Sequence, residues 1–170
     1  ALVNHKRPDM VSITGSVGAG IQVAESAAKQ VKRVHLELGG KAPVVVFADA
    51  DLAAAAEAIA VAGYFNSGQD CTAATRVIVQ ESVYDEFVHL LTEQAKAVVL
   101  GAPSDADVFL GPVNNANQLA RVSDLVSKTP SHAKIMTGGS AIDRPGYFFP
   151  ATVIADLRQD DELIQKEIFG

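Results

Sequence analysis

The sequence predicts an α/β protein, and three observations support this. Residues 10–14 have the composition of a short buried strand and are followed by a glycine-rich turn and a helical stretch. An alanine-rich run, Asp51–Phe65, lies between two strand-like segments, Pro43–Phe47 and Arg76–Gln80. Hydrophobic residues make up 48% of the 170, at a mean hydropathy of +0.17, which indicates a folded chain with a buried core.

The first forty residues contain one βαβ unit. The strand Met10–Thr14 leads through a glycine turn into a predicted helix, Ile21–Gln30, and Val31–Leu38 is the next strand. A helix that starts after a strand offers unpaired N–H groups and a positive dipole end, which suit a pyrophosphate. The glycine spacing is G-x-x-G-x-G, not the usual dinucleotide pattern G-x-G-x-x-G, so a plain tight turn remains the alternative.

The middle of the chain continues this alternation. Pro43–Phe47 lacks polar alternation and is predicted to be buried on both faces. Asp49 or Asp51 is placed to cap the alanine-rich helix. The spacing of Ser82 and Asp85 resembles a capping box at the start of a third helix.

The last third begins with a loop and an amphipathic helix, Asn114–Lys128. The predicted strand Ala133–Thr137 ends at a glycine pair, and Tyr147–Ala155 is predicted to return as another strand. Asp160 or Asp161 is expected to cap a last short helix.

Charge and composition exclude several classes of function. The net charge of −6 disfavours nucleic acid as a partner, and no apolar run approaches the roughly 20 residues of a membrane span. The four histidines show no paired spacing for a metal site. A single cysteine cannot form an internal disulfide, which favours a cytoplasmic location.

That cysteine, Cys71, lies in a polar turn after the alanine-rich helix. Ser67 and Gly68 end the helix, since glycine readily takes the left-handed conformation. Asp70 and Thr72 flank the thiol, whereas a structural cysteine more often lies within an apolar run. The pattern leaves two interpretations open: a nucleophile, or an inert, semi-buried thiol.

Glu37 lies between two leucines in the second predicted strand. A carboxylate is costly to bury as a charge. Glu37 is therefore either solvated or paired with a cation such as Lys41 or Arg33, or it is a general base whose pKa is raised by partial burial.

Four motifs, in order, resemble those of the aldehyde dehydrogenase superfamily. They are Ile13-Thr14-Gly15-Ser16 with Gly20, Leu36-Glu37-Leu38-Gly39-Gly40-Lys41, the stretch Phe65–Ala73, and Lys166-Glu167-Ile168-Phe169-Gly170. The resemblance covers essentially the whole chain. It implies that residues 1–38 are the C-terminal part of a Rossmann-like NAD-binding domain and that residues 39–170 are the first part of the catalytic domain, with the active site where the two meet.

The same resemblance implies a role for each site residue. Cys71 is the catalytic nucleophile that forms a thiohemiacetal and then a thioester, and Glu37 activates the water that releases the acid. The implied cofactor-binding residues are Gly15, Ser16, Gly20, Leu38, Gly39 and Glu167, with Glu167 on the nicotinamide ribose. The cofactor is NAD, with NADP as the alternative, and no metal is implied.

The substrate hypothesis depends on Asp70, the residue directly before Cys71. Asp70 makes Gly68–Ala73 most similar to the γ-aminobutyraldehyde dehydrogenase branch, and a negative side chain there would attract an ammonium group. An aminoaldehyde such as 4-aminobutyraldehyde is therefore the favoured substrate. The alternative is that Asp70 only pairs with a neighbour such as Arg76.

Two other functional classes stay open: a non-catalytic scaffold or binding protein, and a cofactor-independent thiol esterase. The chain has no initiator Met and ends at Gly170 within a motif, so we expect it to be an internal segment that is inactive in isolation. By the same resemblance, the full-length protein is expected to be a homodimer or homotetramer.

Overall fold

The computed structural model describes all 170 residues and confirms the α/β class. The strands are β1 (Met10–Gly15), β2 (Arg33–Leu38), β3 (Pro43–Val46), β4 (Arg76–Val79), β5 (Lys134–Thr137) and β6 (Val153–Ala155). The helices are α1 (Val17–Ala28), α2 (Leu52–Tyr64), α3 (Tyr84–Ala97), α4 (Ala116–Ser127) and α5 (Glu162–Gln165). The chain divides into two compact units, Ala1–Gly40 and Lys41–Gly170.

The first unit is the predicted βαβ unit. Strands β1 and β2 are parallel, with Gly15 opposite Leu38, and α1 connects them. The helix begins at Val17, earlier than the predicted Ile21, because the Ser16 hydroxyl caps it by accepting a hydrogen bond from Ala19 N at 3.3 Å. Ile21, the first residue of the predicted helix, is 52% exposed.

The second unit contains another parallel pair, β3 and β4, joined by α2. Asp51 is the helix cap, and its carboxylate accepts a hydrogen bond from Ala54 N at 3.1 Å. The prediction that Pro43–Phe47 is buried on both faces is wrong: Val45 and Phe47 are exposed, and Val46 is buried in a core with Ala56, Ile59 and Phe87.

Two cap predictions in this unit are wrong in their chemistry. Glu81–Val83 form a 3₁₀ turn ahead of α3, so Val83 is the cap residue and Ser82 makes no capping bond. Asp161 precedes α5 as expected, but its carboxylate accepts from Arg158 N at 2.6 Å instead of from the helix.

The predicted strand Tyr147–Ala155 is also mostly wrong. Only Val153–Ala155 pairs, antiparallel to β5, because the carbonyls of Tyr147 and Phe148 accept hydrogen bonds from loop residues instead. Pro150, within this stretch, has no N–H group with which to donate a hydrogen bond to a neighbouring strand.

No helix of the structure is both long enough and apolar enough to cross a bilayer.

Candidate active site

The glycine turn of the first unit is built by close backbone packing at the ends of β1 and β2. Gly15 pairs with Leu38, and Thr14 pairs with Glu37. A Cβ on Gly20 would lie 2.6 Å from Leu38 Cδ1, so any larger residue at position 20 would require the Leu38 side chain to shift. The unit therefore brings Gly15, Gly20 and Leu38 together.

The start of α1 has the features that suit an anionic group. Ser16 Oγ accepts from Ala19 N, which leaves its own O–H proton for another acceptor. The N–H groups of Val17 and Gly18 have no acceptor within the chain, and the first turn carries no acidic residue. These donors and the helix dipole fit the pyrophosphate of a dinucleotide.

Glu37 is exposed, as in the solvated alternative, and not partly buried. Its side chain is 64% exposed, because strand β2 is not covered on that face. The expected cation partners Lys41 and Arg33 do not bind it. Its partner is His35, on the same face of β2, with 2.6 Å between His35 Nε2 and Glu37 Oε1.

In the second unit, α2 ends at a strained turn. Asn66, Ser67 and Gly68 have φ angles of 51°, 59° and 69°, three consecutive residues in the left-handed region. Such a turn is disfavoured for residues other than glycine and persists only where the surroundings hold it. Asn66 Nδ2 donates to Gln69 O at 3.0 Å and stabilises the turn locally.

Two longer contacts connect this turn to the loop ahead of α4. Ser67 is buried, and its hydroxyl donates to Gly111 O at 3.0 Å. Gln69 Oε1 accepts from Asn114 N at 2.9 Å. The segment just before Cys71 is therefore anchored about 45 residues further along the chain.

Cys71 is exposed. It is the second residue of a β-turn over residues 70–73, in which the Ala73 N–H donates to Asp70 O at 3.2 Å. Its own backbone N–H has no acceptor within the chain. This leaves both a reachable thiol and, beside it, a free donor for an oxyanion. The thiol is exposed and not semi-buried.

Asp70 does not pair with Arg76. Its Oδ1 accepts from the backbone N–H and from the hydroxyl of Thr72, both at 2.7 Å. These hydrogen bonds, the backbone one first, hold the pKa of Asp70 below its ordinary value, so the carboxylate is ionised beside Cys71. Its Oδ2 makes no hydrogen bond within the chain.

Glu167 lies in a half-buried segment that contacts the turn before Cys71. A Cβ on Gly68 would lie 3.0 Å from the carbonyl carbon of Gly170, so the two backbones touch. The second unit thus brings the Cys71 loop and the Glu167 segment together. Glu37 and the glycine turn belong to the first unit.

Sequence reasoning missed a cationic pair in the second unit. Lys41 and Arg76 line a cavity of about 250 Å³, and Arg76 Nε is buried without a hydrogen-bond partner. Burial, followed by the charge of Arg76, lowers the pKa of Lys41 to about 8, while the Glu167 carboxylate opposes the shift. The glycine pair before Lys41 was the only signal near it.

The fold and these motifs define an aldehyde dehydrogenase segment. A sequence model of the aldehyde dehydrogenase family matches residues 1–170, and the chain belongs to this family. Lactaldehyde dehydrogenase of Escherichia coli (strain K12) is 43% identical over 99% of the chain and 36% of its own length. Its crystal structure superposes with a TM-score of 0.96 over the same shares of the two chains.

Two further relatives show the breadth of the similarity. The rat protein "Aldehyde dehydrogenase, cytosolic 1" is 42% identical over 100% of the chain and 34% of its own length. A mutant aldehyde dehydrogenase C from Pseudomonas syringae, crystallised with NAD+ and octanal, is 36% identical, with a TM-score of 0.94 over 99% of the chain and 36% of its own. The chain therefore spans about a third of the length of its relatives.

Proposed function

We propose that the full-length protein oxidises an aldehyde to a carboxylic acid with NAD, or alternatively NADP, and that Cys71 is the nucleophile. The observation that carries the proposal is the exposed Cys71 thiol, beside a backbone N–H without an acceptor and after a strained turn. Family membership supports the reaction class, and the NAD+ complex of the Pseudomonas relative supports the cofactor.

In the proposed mechanism, the Cys71 thiolate attacks the aldehyde carbon and forms a thiohemiacetal. The Cys71 N–H is placed to donate to the oxyanion that develops. Bound NAD supplies a hydride acceptor, and loss of the hydride leaves a thioester on Cys71. Glu37 then removes a proton from water, which attacks the thioester and releases the acid and the free thiol.

The chain offers several groups that can bind the cofactor. The Ser16 hydroxyl and the free N–H groups at the start of α1 are donors for its phosphates. Gly15, Gly20 and Leu38 shape the surface beside them, and Gly39 follows with further backbone. Glu167 is the proposed acceptor for the ribose hydroxyls.

The exposed position of Glu37 is compatible with its role as a base, because a group that activates water has to be reached by water. His35 has one oxygen of the carboxylate as its partner and restrains its direction.

The test compares NADH formation by the full-length protein and three variants. Cys71→Ala should lower kcat by about 10³-fold or more. Glu37→Gln should give a burst of NADH, stoichiometric with enzyme, followed by slow turnover. Glu25→Gln, at an exposed position of α1, is the matched control and should behave as wild type. Unchanged turnover in Cys71→Ala would refute the proposal.

For the substrate, we propose an aminoaldehyde such as 4-aminobutyraldehyde. Asp70 supports this because an ionised carboxylate with an unpaired Oδ2 directly precedes Cys71 and can attract an ammonium group. The Escherichia coli relative, a lactaldehyde dehydrogenase, makes lactaldehyde the comparison substrate.

Asp70→Asn tests the substrate class because an amide oxygen can still accept from Thr72 while the charge is removed. We expect kcat/KM for 4-aminobutyraldehyde to fall about 10-fold, the size of a close charge–charge contact near a protein surface, with butyraldehyde and lactaldehyde changing less than about twofold. Equal losses on all three would contradict a cation-binding role.

We also propose that the full-length protein is cytoplasmic and forms a homo-oligomer. The name of the rat relative, which includes the word cytosolic, supports the cytoplasmic location.

A further inference from the structure

The face of β2 that carries Glu37 is open to solvent. Glu37 and His35 are two residues apart in the strand, so their side chains lie on the same face of the sheet. Leu38 lies on the opposite face, where it contacts Gly20 of α1. More than half of the His35 side chain and of the Glu37 side chain is exposed. Packing therefore does little to fix the direction of the carboxylate.

The imidazole of His35 is the only group in the chain that binds this carboxylate. His35 Nε2 lies 2.6 Å from Glu37 Oε1, and Oε2 makes no hydrogen bond. In β1, Ser12 is opposite His35 and Thr14 is opposite Glu37, but both are neutral and neither hydroxyl binds the carboxylate. Arg33, the other charged residue on this face, is not a partner of Glu37 either. The contact therefore holds one oxygen and leaves the other open to water.

Such a contact affects both the direction and the base strength of a carboxylate. A solvated glutamate side chain samples many rotamers, and holding one oxygen restricts the positions of the other. A general base has to lie within hydrogen-bonding distance of the water that it deprotonates, so this restriction favours proton transfer. A protonated imidazole also carries a positive charge, which makes a nearby carboxylate a weaker base. Solvent screens this charge effect between exposed groups, so we expect the direction to matter more.

We propose that His35 is a positioning residue for Glu37: it holds Oε1, so that Oε2 is the oxygen that takes the proton from water. This rests on the proposed function, in which Glu37 is the base of the hydrolysis step. In that step a water O–H bond breaks, its proton goes to Oε2, and the water oxygen bonds to the thioester carbon. The C–S bond then breaks, Cys71 leaves as the thiolate, and the acid is released. The earlier attack and hydride transfer do not use Glu37, so only hydrolysis depends on His35.

The experiment follows the two steps separately in the full-length protein with butyraldehyde and NAD+. Single-turnover formation of NADH gives the rate of acyl-enzyme formation, and intact-mass spectrometry of quenched samples gives the rate at which the acyl-enzyme disappears. His35→Phe removes the contact and should slow hydrolysis about 5- to 20-fold, a part of the roughly 10²- to 10⁴-fold that a general base contributes. Acyl-enzyme formation should change less than about twofold. His89→Phe, the same change at an exposed histidine of α3, is the matched control and should alter neither rate.

A second variant separates positioning from a structural role. His35→Gln keeps an N–H group that can hold Oε1, so hydrolysis should return to within about threefold of wild type. The glutamine amide does not titrate, whereas histidines change charge between about pH 5 and 8. Arg33 keeps its charge over this range. The rate of hydrolysis should therefore rise less steeply with pH in His35→Gln than in wild type.

A double-mutant cycle with Glu37→Gln tests whether His35 acts through Glu37. If it does, His35→Phe should change hydrolysis by less than about twofold once Glu37 is replaced. The same fold-change in both backgrounds, equal slowing of the two steps, or wild-type hydrolysis in His35→Phe would overturn the inference. Wild-type hydrolysis in Glu37→Gln would instead overturn the proposed base, and wild-type protein that reduces neither NAD+ nor NADP+ would overturn the proposed function itself.

Discussion

Leu38 lies directly against the Cα of Gly20: a Cβ at position 20 would be 2.6 Å from Leu38 Cδ1 and 2.7 Å from Cδ2. Both atoms belong to the end of β2, next to Glu37, so the packing of α1 affects the strand that carries the proposed base. Gly18, two residues earlier in the same helix, has no atom within 4 Å of its Cβ position.

We therefore expect Gly20→Ala to lower the free energy of unfolding by about 1–3 kcal/mol, the usual cost of overpacking. Gly18→Ala is the matched control and should be neutral or stabilise by up to about 1 kcal/mol, since alanine favours a helix. Urea unfolding of the full-length variants measures both. Equal stability of the two variants would show that Leu38 can move aside.

Gly68 is the second glycine with a specific requirement. Its φ is 69°, and an added Cβ would lie 3.0 Å from the carbonyl carbon of Gly170, which is backbone and cannot rotate away. Gly68→Ala should destabilise by about 1–3 kcal/mol and change the rate at which iodoacetamide alkylates Cys71.

The matched control for this change is Gly111→Ala, whose Cβ would have its nearest contact at 3.6 Å from Ser67 Oγ, an ordinary van der Waals distance. Its unfolding free energy should change by less than about 1 kcal/mol. A Gly68 variant with wild-type alkylation kinetics would show that the turn and the Glu167 segment do not constrain Cys71.

The Tyr84 hydroxyl stabilises Asp156, whose backbone is in the left-handed region. Asp156 has a φ of 62°, its N–H donates to the Tyr84 hydroxyl at 2.8 Å, and that hydroxyl donates to Asp156 Oδ1 at 3.1 Å. Tyr84→Phe should lower the unfolding free energy by about 1–2 kcal/mol, because a partly buried N–H loses its acceptor. Tyr147→Phe removes a hydroxyl that makes no hydrogen bond and should have no measurable effect. Thermal unfolding of both variants checks this.

The lowered pKa of Lys41 predicts that the free energy of unfolding depends on pH. Burial and Arg76 lower its pKa to about 8 from the ordinary 10.5, so the unfolded state binds more protons than the folded state between those pH values. Stability from this residue therefore rises as the pH rises from about 8 to about 10.5, and the penalty for the buried charge is fully present below pH 8.

Lys41→Met should remove that rise and should increase stability at neutral pH, because no charge has to be buried. The measurement is the free energy of urea unfolding between pH 7 and roughly 10. Lys29→Met, at the exposed end of α1, is the control and should keep the wild-type pH profile. A wild-type profile in Lys41→Met would mean that another group causes the pH dependence.

The sequence determined those parts of the fold that depend on neighbouring residues. The βαβ unit, the alanine-rich helix capped by Asp51 and the helix break before Cys71 all follow from local periodicity, caps and turn residues. The four family motifs also identified the class of protein, because each preserves residue types that close backbone approach or chemistry requires. The sequence placed two helix starts wrongly, those of α1 and of α3. In each case several residues close together can cap a helix, and the sequence does not show which of them does so.

Tertiary structure decided what depends on contacts between distant residues. The exposure of Glu37 and its pairing with His35 depend on which face of β2 is covered, and the hydrophobic periodicity of the strand does not predict this. The bonds from Gln118 to the carbonyls of Ile168 and Phe169 join positions about 50 residues apart. A side-chain amide can bind any nearby carbonyl, so only the packing of α4 against the Glu167 segment selected these partners.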